Sequence, residues 1–271
     1  MYDVSKVLIQ HPYQQYSPSE AHCQPPGRKR NKALELYNCH TEVFALLSAS
    51  NARRLAAPAS PLRAHRPSST MAFLILVIGD LHIPDRALDI PQKFKKLLSP
   101  GKIGQTLCLG NLTDKHTYEY LRSIAPDLKI VKGRLDVEAT SLPLSQVVTH
   151  GSLRIGFVEG FTLVSTEPDL LLAEANKLDV DVLCWGGTHR FDAFEYMDKF
   201  FVNPGSATGA YTTGWTKEGE EMVPSFCLMD VQGISLTLYV YQLRKDVNGV
   251  ENVAVEKVTY TKPVEPTAVS S

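Results

Sequence analysis

Apolar positions fall into two regimes that meet near Met71. Before it, Pro, Gln, Ser and Arg are scattered without a period, and YQQYSPSEAHCQPPGRKRNK reads as disordered. A short helix is expected around Lys32–Leu47, where Leu34, Tyr37, Val43, Phe44 and Leu47 supply the apolar residues. APASPLRAHRPSST reads as a flexible joint.

After Met71 the pattern is that of a packed core. Phe73–Gly79 is a continuous apolar run, which predicts a strand buried on both faces. Pro91–Leu98 predicts a short helix with proline at its start. Thr106–Gly110 and Leu128–Gly133 predict two more strands. Between them, Thr113 or Asp114 caps a helix running to Ala125. This alternation is the grammar of a parallel sheet.

The grammar then changes. Gln146–Thr149 and Leu153–Val158 flank a His150–Gly151 turn and read as a hairpin. Pro168–Leu178 is helical, and Val180–Trp185 is another buried strand. Phe191–Tyr196 and Phe200–Val202 form a second hairpin. Ser225–Val231, Ile234–Leu243 and Val253–Thr261 are long strands, the first two joined at Gln232–Gly233. In the middle one, Leu236, Leu238 and Val240 alternate with Thr237, Tyr239 and Tyr241. The expected fold is therefore α/β, with two sheets flanked by helices.

Charge separates the same two regimes. Residues 1–70 hold nine Lys/Arg and four Asp/Glu, a net of +5, so the rest of the chain carries −6 against a total of −1. No basic folded face speaks for nucleic acid. Arg28-Lys29-Arg30 reads as solvated chain. Between Val43 and Gly79 there are four arginines and no acid, as in part of a transit peptide. The plainer reading is an arm or an upstream extension, with Met71 as the original start. The five cysteines form no CxxC pair, and Cys108 and Cys184 sit in apolar runs. That favours a reducing compartment and no disulfide framework. No apolar stretch approaches the roughly 20 residues of a membrane span.

Candidate chemistry collects where strands end. The runs are Gly79-Asp80-Leu81-His82, Gly110-Asn111-Leu112-Thr113-Asp114, Gly133-Arg134-Leu135-Asp136 and Gly186-Gly187-Thr188-His189. In open α/β sheets such carboxyl ends converge on the ligand crevice.

In order and kind these runs resemble the calcineurin-like metallophosphoesterases, which carry D-x-H, G-D-x-x-D, G-N-H-[DE], a lone His and G-H-x-H. Here stand D-L-H, G-N-L-T-D, G-R-L-D, E-G-F and G-G-T-H. Within that superfamily VIGDLHIP, VNPGSATGAY, PSFCLMD and YVYQL are similar to the small phosphoesterase-fold subunits of retromer, over roughly Met71–Pro263.

The resemblance implies a four-layer α/β/β/α sandwich over 71–263, after a largely disordered basic arm over 1–70 and before a flexible tail over 264–271. It places one metal site at Asp80, His82, Asn111 and His189, with Asn111 where the family has a bridging Asp. N/O ligands of this kind suit a weakly held Mn or Zn, and no cofactor is required. The second site's positions hold Asn111, Arg134, Glu159 and Gly187. An always-protonated guanidinium is no ligand. The Arg134 guanidinium is expected to occupy the vacated cation position and pair with Glu159. Leu135 replaces the general acid, a group that typically supplies roughly 10²–10⁴-fold.

The expected function is thus a scaffold without catalysis, peripheral on the cytosolic face of endosomes. Leu163 and Val164 are expected to meet the α-solenoid subunit. Leu97 and Leu228 are expected in an exposed patch for regulators. A weak single-metal phosphoesterase is the alternative. NPGSATGAY (Asn203–Tyr211) reads as a structural loop, and His150 and His116 as a turn and a helix-surface residue.

Overall fold

A computed structural model describes residues 73–212 and 222–264. The expected disordered arm, the helix around Lys32–Leu47, and the tail beyond Val264 lie outside the described residues.

Leu74–Ile78 (β1) is central to a six-stranded sheet. It pairs in parallel with Ile103–Cys108 (β2), which pairs in parallel with Asp127–Ile130 (β3). On its other side β1 runs antiparallel to Ser225–Gln232 (β9). Ser235–Lys245 (β10) and Glu251–Thr261 (β11) complete that side as antiparallel neighbours. The second sheet has five strands. Ser145–His150 (β4) and Leu153–Val158 (β5) form the expected hairpin, and Val182–Trp185 (β6) lies parallel to β5. Lys199–Pro204 (β8) lies parallel to β6, and Phe191–Tyr196 (β7) closes the edge.

Strand periodicity explains how the layers stack, because alternate side chains face opposite ways. Ile75 and Val77 of β1 enter a core between the sheets, with Phe157, Val182, Phe200 and Val202 from the opposing sheet. Leu76 and Ile78 face outward instead, onto Gln92–Leu97 (α1) and Lys115–Ile124 (α2) through Phe94, Leu121 and Ile124. Hence the apolar run that begins at Phe73 has no polar alternation. The second sheet repeats the logic. Its outer residues Val158, Leu183, Trp185 and Phe201 receive Leu171 and Ala175 from Pro168–Lys177 (α3). Two sheets with helices on both outer faces make the four-layer sandwich expected from the sequence.

Helix starts follow local chemistry. The Asp114 carboxylate accepts from the Thr117 N–H at 2.8 Å and caps α2, which settles the Thr113-or-Asp114 alternative. In β10 the predicted alternation holds: Leu236, Leu238 and Val240 enter the inter-sheet core, and Tyr239 and Tyr241 join the outer cluster. That cluster also corrects one expectation. Leu228 is only 6% exposed within it, and Leu97 is half-buried against it, so the two do not form an exposed patch. Leu228 lies in the outer cluster and Leu97, at the end of α1, packs against it, because covering the outer sheet face gains more than exposing it.

Phe157 is fully buried between the sheets. Phe157→Ala is expected to cost about 3–5 kcal/mol, the usual range for emptying such a site. Denaturant unfolding of the two proteins measures it.

Candidate metal centre

Every strand-end residue singled out from the sequence arrives at one rim of the sandwich. Asp80 and His82 follow β1, Asn111 follows β2, Arg134 and Leu135 follow β3, Glu159 follows β5, and Gly187 and His189 follow β6. Both sheets therefore contribute. Asp80 (φ 48°), His82 (φ 48°), Asn111 (φ 55°) and His189 (φ 59°) are all left-handed, the conformation that Asp, Asn and His tolerate best among residues with a Cβ. Such backbone strain costs of order 1–3 kcal/mol per residue and persists only where surrounding contacts enforce it.

Those contacts centre on Asp80, whose side chain is wholly buried. Its carboxylate accepts the Gly187 N–H at 2.9 Å and the His189 N–H at 3.1 Å, so a turn of one sheet is held by a turn of the other. Burial raises the Asp80 pKa above the usual carboxylate value, opposed by the charge of His189 and by these two N–H donors. His82 and His189 stack with ring centroids 4.7 Å apart. Nδ1 of His189 lies 2.7 Å from the Ala210 carbonyl. A carbonyl only accepts, so Nδ1 carries the proton and Nε2 is the ring atom left for a cation. Both ring nitrogens of His82 are buried without a partner. Burial, aided by His189 and Arg86, pushes the His82 pKa down to about 3, so the ring is neutral near pH 7. A neutral imidazole is the ligand form.

Candidate ligand atoms of Asp80, His82 and His189 all lie within 4.8 Å of one another. Nitrogen and carboxylate ligands sit about 2.0–2.2 Å from an ion such as zinc. The three groups can therefore converge on one cation, which would give a partner to one of the orphaned His82 nitrogens and a counter-charge to Asp80.

Asn111 is committed elsewhere. Its amide N–H donates to Glu159 at 2.7 Å, and its Oδ1 accepts from the Leu135 N–H at 3.1 Å. Its own N–H donates to Asp136, which also receives the Gly133 N–H, each at 2.8 Å. Asp136 is thus the anchor of this turn, a role its place in the run G-R-L-D did not disclose.

The positions of a second cation are occupied differently from the expectation. Glu159, 3% exposed, is bound by the Asn111 amide, by the Phe161 N–H at 2.7 Å and by the Arg134 N–H at 3.4 Å. The Arg134 side chain is exposed, and its guanidinium does not replace a cation beside Glu159. The physical reason is economy of charge. A neutral amide and two backbone donors satisfy the buried carboxylate, so a desolvated guanidinium is not required. Gly187 offers no ligand, and at φ +80° any side chain added there would be strained.

The cleft around these groups has a volume of about 200 Å³ and is lined by His82, Arg86, Leu135, Glu159 and Phe161, among others. That is smaller than the usual small-molecule pocket of roughly 300–1,000 Å³. In the segment after Glu159, Val164 is 95% exposed, whereas Leu163 turns inward against the outer core of the second sheet.

Comparison with known proteins agrees with this geometry. Residues 73–233 match the calcineurin-like phosphoesterase superfamily domain. The chain is 49% identical to vacuolar protein sorting-associated protein 29 of Schizosaccharomyces pombe over 192 residues, 70% of this chain and 100% of that one. It is 85% identical to the crystal structure of Chaetomium thermophilum Vps29, with a TM-score of 0.67, covering 71% of this chain and all of that one. Entamoeba histolytica Vps29 complexed with Zn²⁺ is 39% identical, with a TM-score of 0.61, covering 69% of this chain and 99% of that one.

Three substitutions separate the cation site from its neighbours. Asp80→Asn is expected to leave the metal-free melting temperature unchanged or higher, because it relieves a buried charge, and to abolish any rise in melting temperature on adding Zn²⁺. Thermal scans with and without the ion check both halves. Arg134→Ala is expected to change stability by less than about 0.5 kcal/mol. Glu159→Ala, which orphans the Asn111 amide and the Phe161 N–H, is expected to cost about 2–3 kcal/mol. Urea unfolding curves measure the pair.

Proposed function

The chain belongs to the Vps29 family of calcineurin-like phosphoesterase-fold proteins, and from that membership we propose that it is a non-catalytic scaffold subunit of retromer. The observation that carries the proposal is the missing second ligand set. Gly187 has no side chain, and Glu159 is engaged by Asn111 and by backbone donors. Two-metal phosphoesterases need paired cations to clamp the attacking and leaving oxygens. This rim offers ligands for one. Leu135 lines the cleft where the family places its general acid, and an alkyl group moves no proton.

Asp80, His82 and His189 would hold the single cation, and their nitrogen and oxygen atoms suit Mn or Zn. Bound there, it would neutralise Asp80 and tie the two rim turns together, which is structural work. The cleft itself then serves as a docking rim. Exposed Val164 and part-exposed Phe161, with Leu163 packed behind them, supply apolar surface for an α-solenoid retromer subunit. Regulatory proteins would be further partners of the same scaffold. Among the described residues no helix is long and apolar enough to cross a membrane. Recruitment to the cytosolic face of endosomes would run through partners, in sorting of membrane cargo. The substrate-free role explains why Asn111 and Leu135 replace groups on which phosphoester hydrolysis depends.

A second reading, a weak phosphoesterase using one metal, is favoured by the convergence of Asp80, His82 and His189 alone. One experiment separates the two. The full chain is used as bait in native extract, partners are identified by mass spectrometry, and the same sample is assayed on a phosphodiester with Mn²⁺. The scaffold reading predicts a stoichiometric helical-repeat partner and no turnover. Turnover lost in Asp80→Ala, with no stable partner, would establish the single-metal enzyme instead.

A further inference from the structure

One loop grips both turns that carry the cation ligands. It is Asn203–Tyr211, rich in Gly, Ser and Thr and without the pattern of a phosphate loop. Three successive carbonyls of the turn after β1 accept from it. The Ala207 N–H reaches Gly79 at 3.2 Å, the Ser206 hydroxyl reaches Asp80 at 2.7 Å, and the Thr208 hydroxyl reaches Leu81 at 2.8 Å. On the other side, the Ala210 carbonyl accepts the His189 Nδ1 proton at 2.7 Å.

Proton counting shows how the two halves are joined. A hydroxyl has one proton and two lone pairs. The protons of Ser206 and Thr208 are both spent on the Asp80 and Leu81 carbonyls. Their oxygens, 3.1 Å apart, therefore face each other as acceptors. The Ala210 N–H lies between them and donates to both, at 3.0 Å to Ser206 and 3.3 Å to Thr208. The two hydroxyls thus hold the Asp80–His82 turn with their protons. With their lone pairs they hold the residue whose carbonyl orients His189.

The loop has a rigid footing for this. Ser225 donates its N–H to the Ser206 carbonyl at 2.8 Å and its hydroxyl to Pro204 at 2.6 Å. Gly205 has φ +73°, and a Cβ there would lie 2.3 Å from the Ser225 hydroxyl, so only glycine brings the loop this close. Asn203 adds a bond from its amide to the Thr188 hydroxyl at 2.9 Å, next to His189. Ser206 is fully buried.

We propose that Ser206 and Thr208 are positioning residues for the cation triad, fixing the Asp80–His82 turn directly and the His189 tautomer through Ala210. The proposal rests on the single-cation reading of Asp80, His82 and His189. Outer-shell groups of this kind typically change metal affinity by roughly 10–100-fold when removed.

The test uses the full chain and four proteins: wild type, Thr208→Val, Thr208→Ser and Ser206→Ala. Zn²⁺ and Mn²⁺ affinities are measured by calorimetry. Imidazole ¹⁵N spectra are recorded on the metal-free proteins, and melting curves confirm folding. Thr208→Val keeps the shape and loses the hydroxyl, so its affinity should fall about 10–100-fold. Thr208→Ser keeps the hydroxyl and should bind like wild type. His189 should be a single Nδ1–H tautomer in wild type and Thr208→Ser, and a mixture in Ser206→Ala. Equal affinity in Thr208→Val and wild type, or an equal loss in Thr208→Ser, would overturn the proposal. A wild type that takes up no ion would defeat the single-cation reading. The metal-free tautomer spectra would then still decide whether the hydroxyls position His189. If Ser206→Ala does not fold, the two Thr208 variants carry the decision.

Discussion

A carboxylate buried at the junction of two sheets must find donors or a cation. Asp80 is wholly buried at such a junction, and the N–H groups of Gly187 and His189 come to it from the opposite sheet. The left-handed backbone at Asp80, His82 and His189 is held by these bonds and those of the Asn203–Tyr211 loop, and that at Asn111 by Asp136, Glu159 and Leu135. Register within each sheet can be set by apolar alternation. The alignment of one sheet's rim against the other's depends on this polar clamp.

The two halves of the rim meet the cost of buried charge differently. A site for two cations needs acids and imidazoles facing ions, each desolvated and costly without its metal. Here the second half of the rim is satisfied internally. Glu159 takes the Asn111 amide and two backbone donors, and Asp136 takes the N–H groups of Asn111 and Gly133. The first half keeps a different balance. His82 has two buried nitrogens without partners, and burial holds the Asp80 pKa above its usual value. One half is closed as protein, and the other is unfinished without an ion.

Much of this was legible in the chain. The apolar run beginning at Phe73 specified a strand buried on both faces, and the alternation from Leu236 to Tyr241 specified which side faced which core. The strand-end runs placed Asp80, His82, Asn111, Glu159 and His189 on one rim. What the sequence did not convey was direction and backbone chemistry. Arg134 stands where a ligand would, yet its N–H, not its guanidinium, meets Glu159. Residue type carries no information about that choice. Leu163 and Val164 are adjacent and apolar, but only Val164 is exposed, because the loop turns one inward. Leu228 looked available and is covered by the outer layer. The Ala210 carbonyl orients His189, and no side chain announces a carbonyl. Only the density of Ser and Thr in NPGSATGAY hinted that this loop had polar work to do.

The central claim is that this rim offers a place for one cation, at Asp80, His82 and His189. Native mass spectrometry of the full chain at saturating Mn²⁺ counts bound ions directly. The account predicts a single ion per chain, and none in a protein lacking His82 and His189. Two ions bound at that rim would contradict it, because nothing at Gly187, Arg134 or Glu159 is left to hold the second.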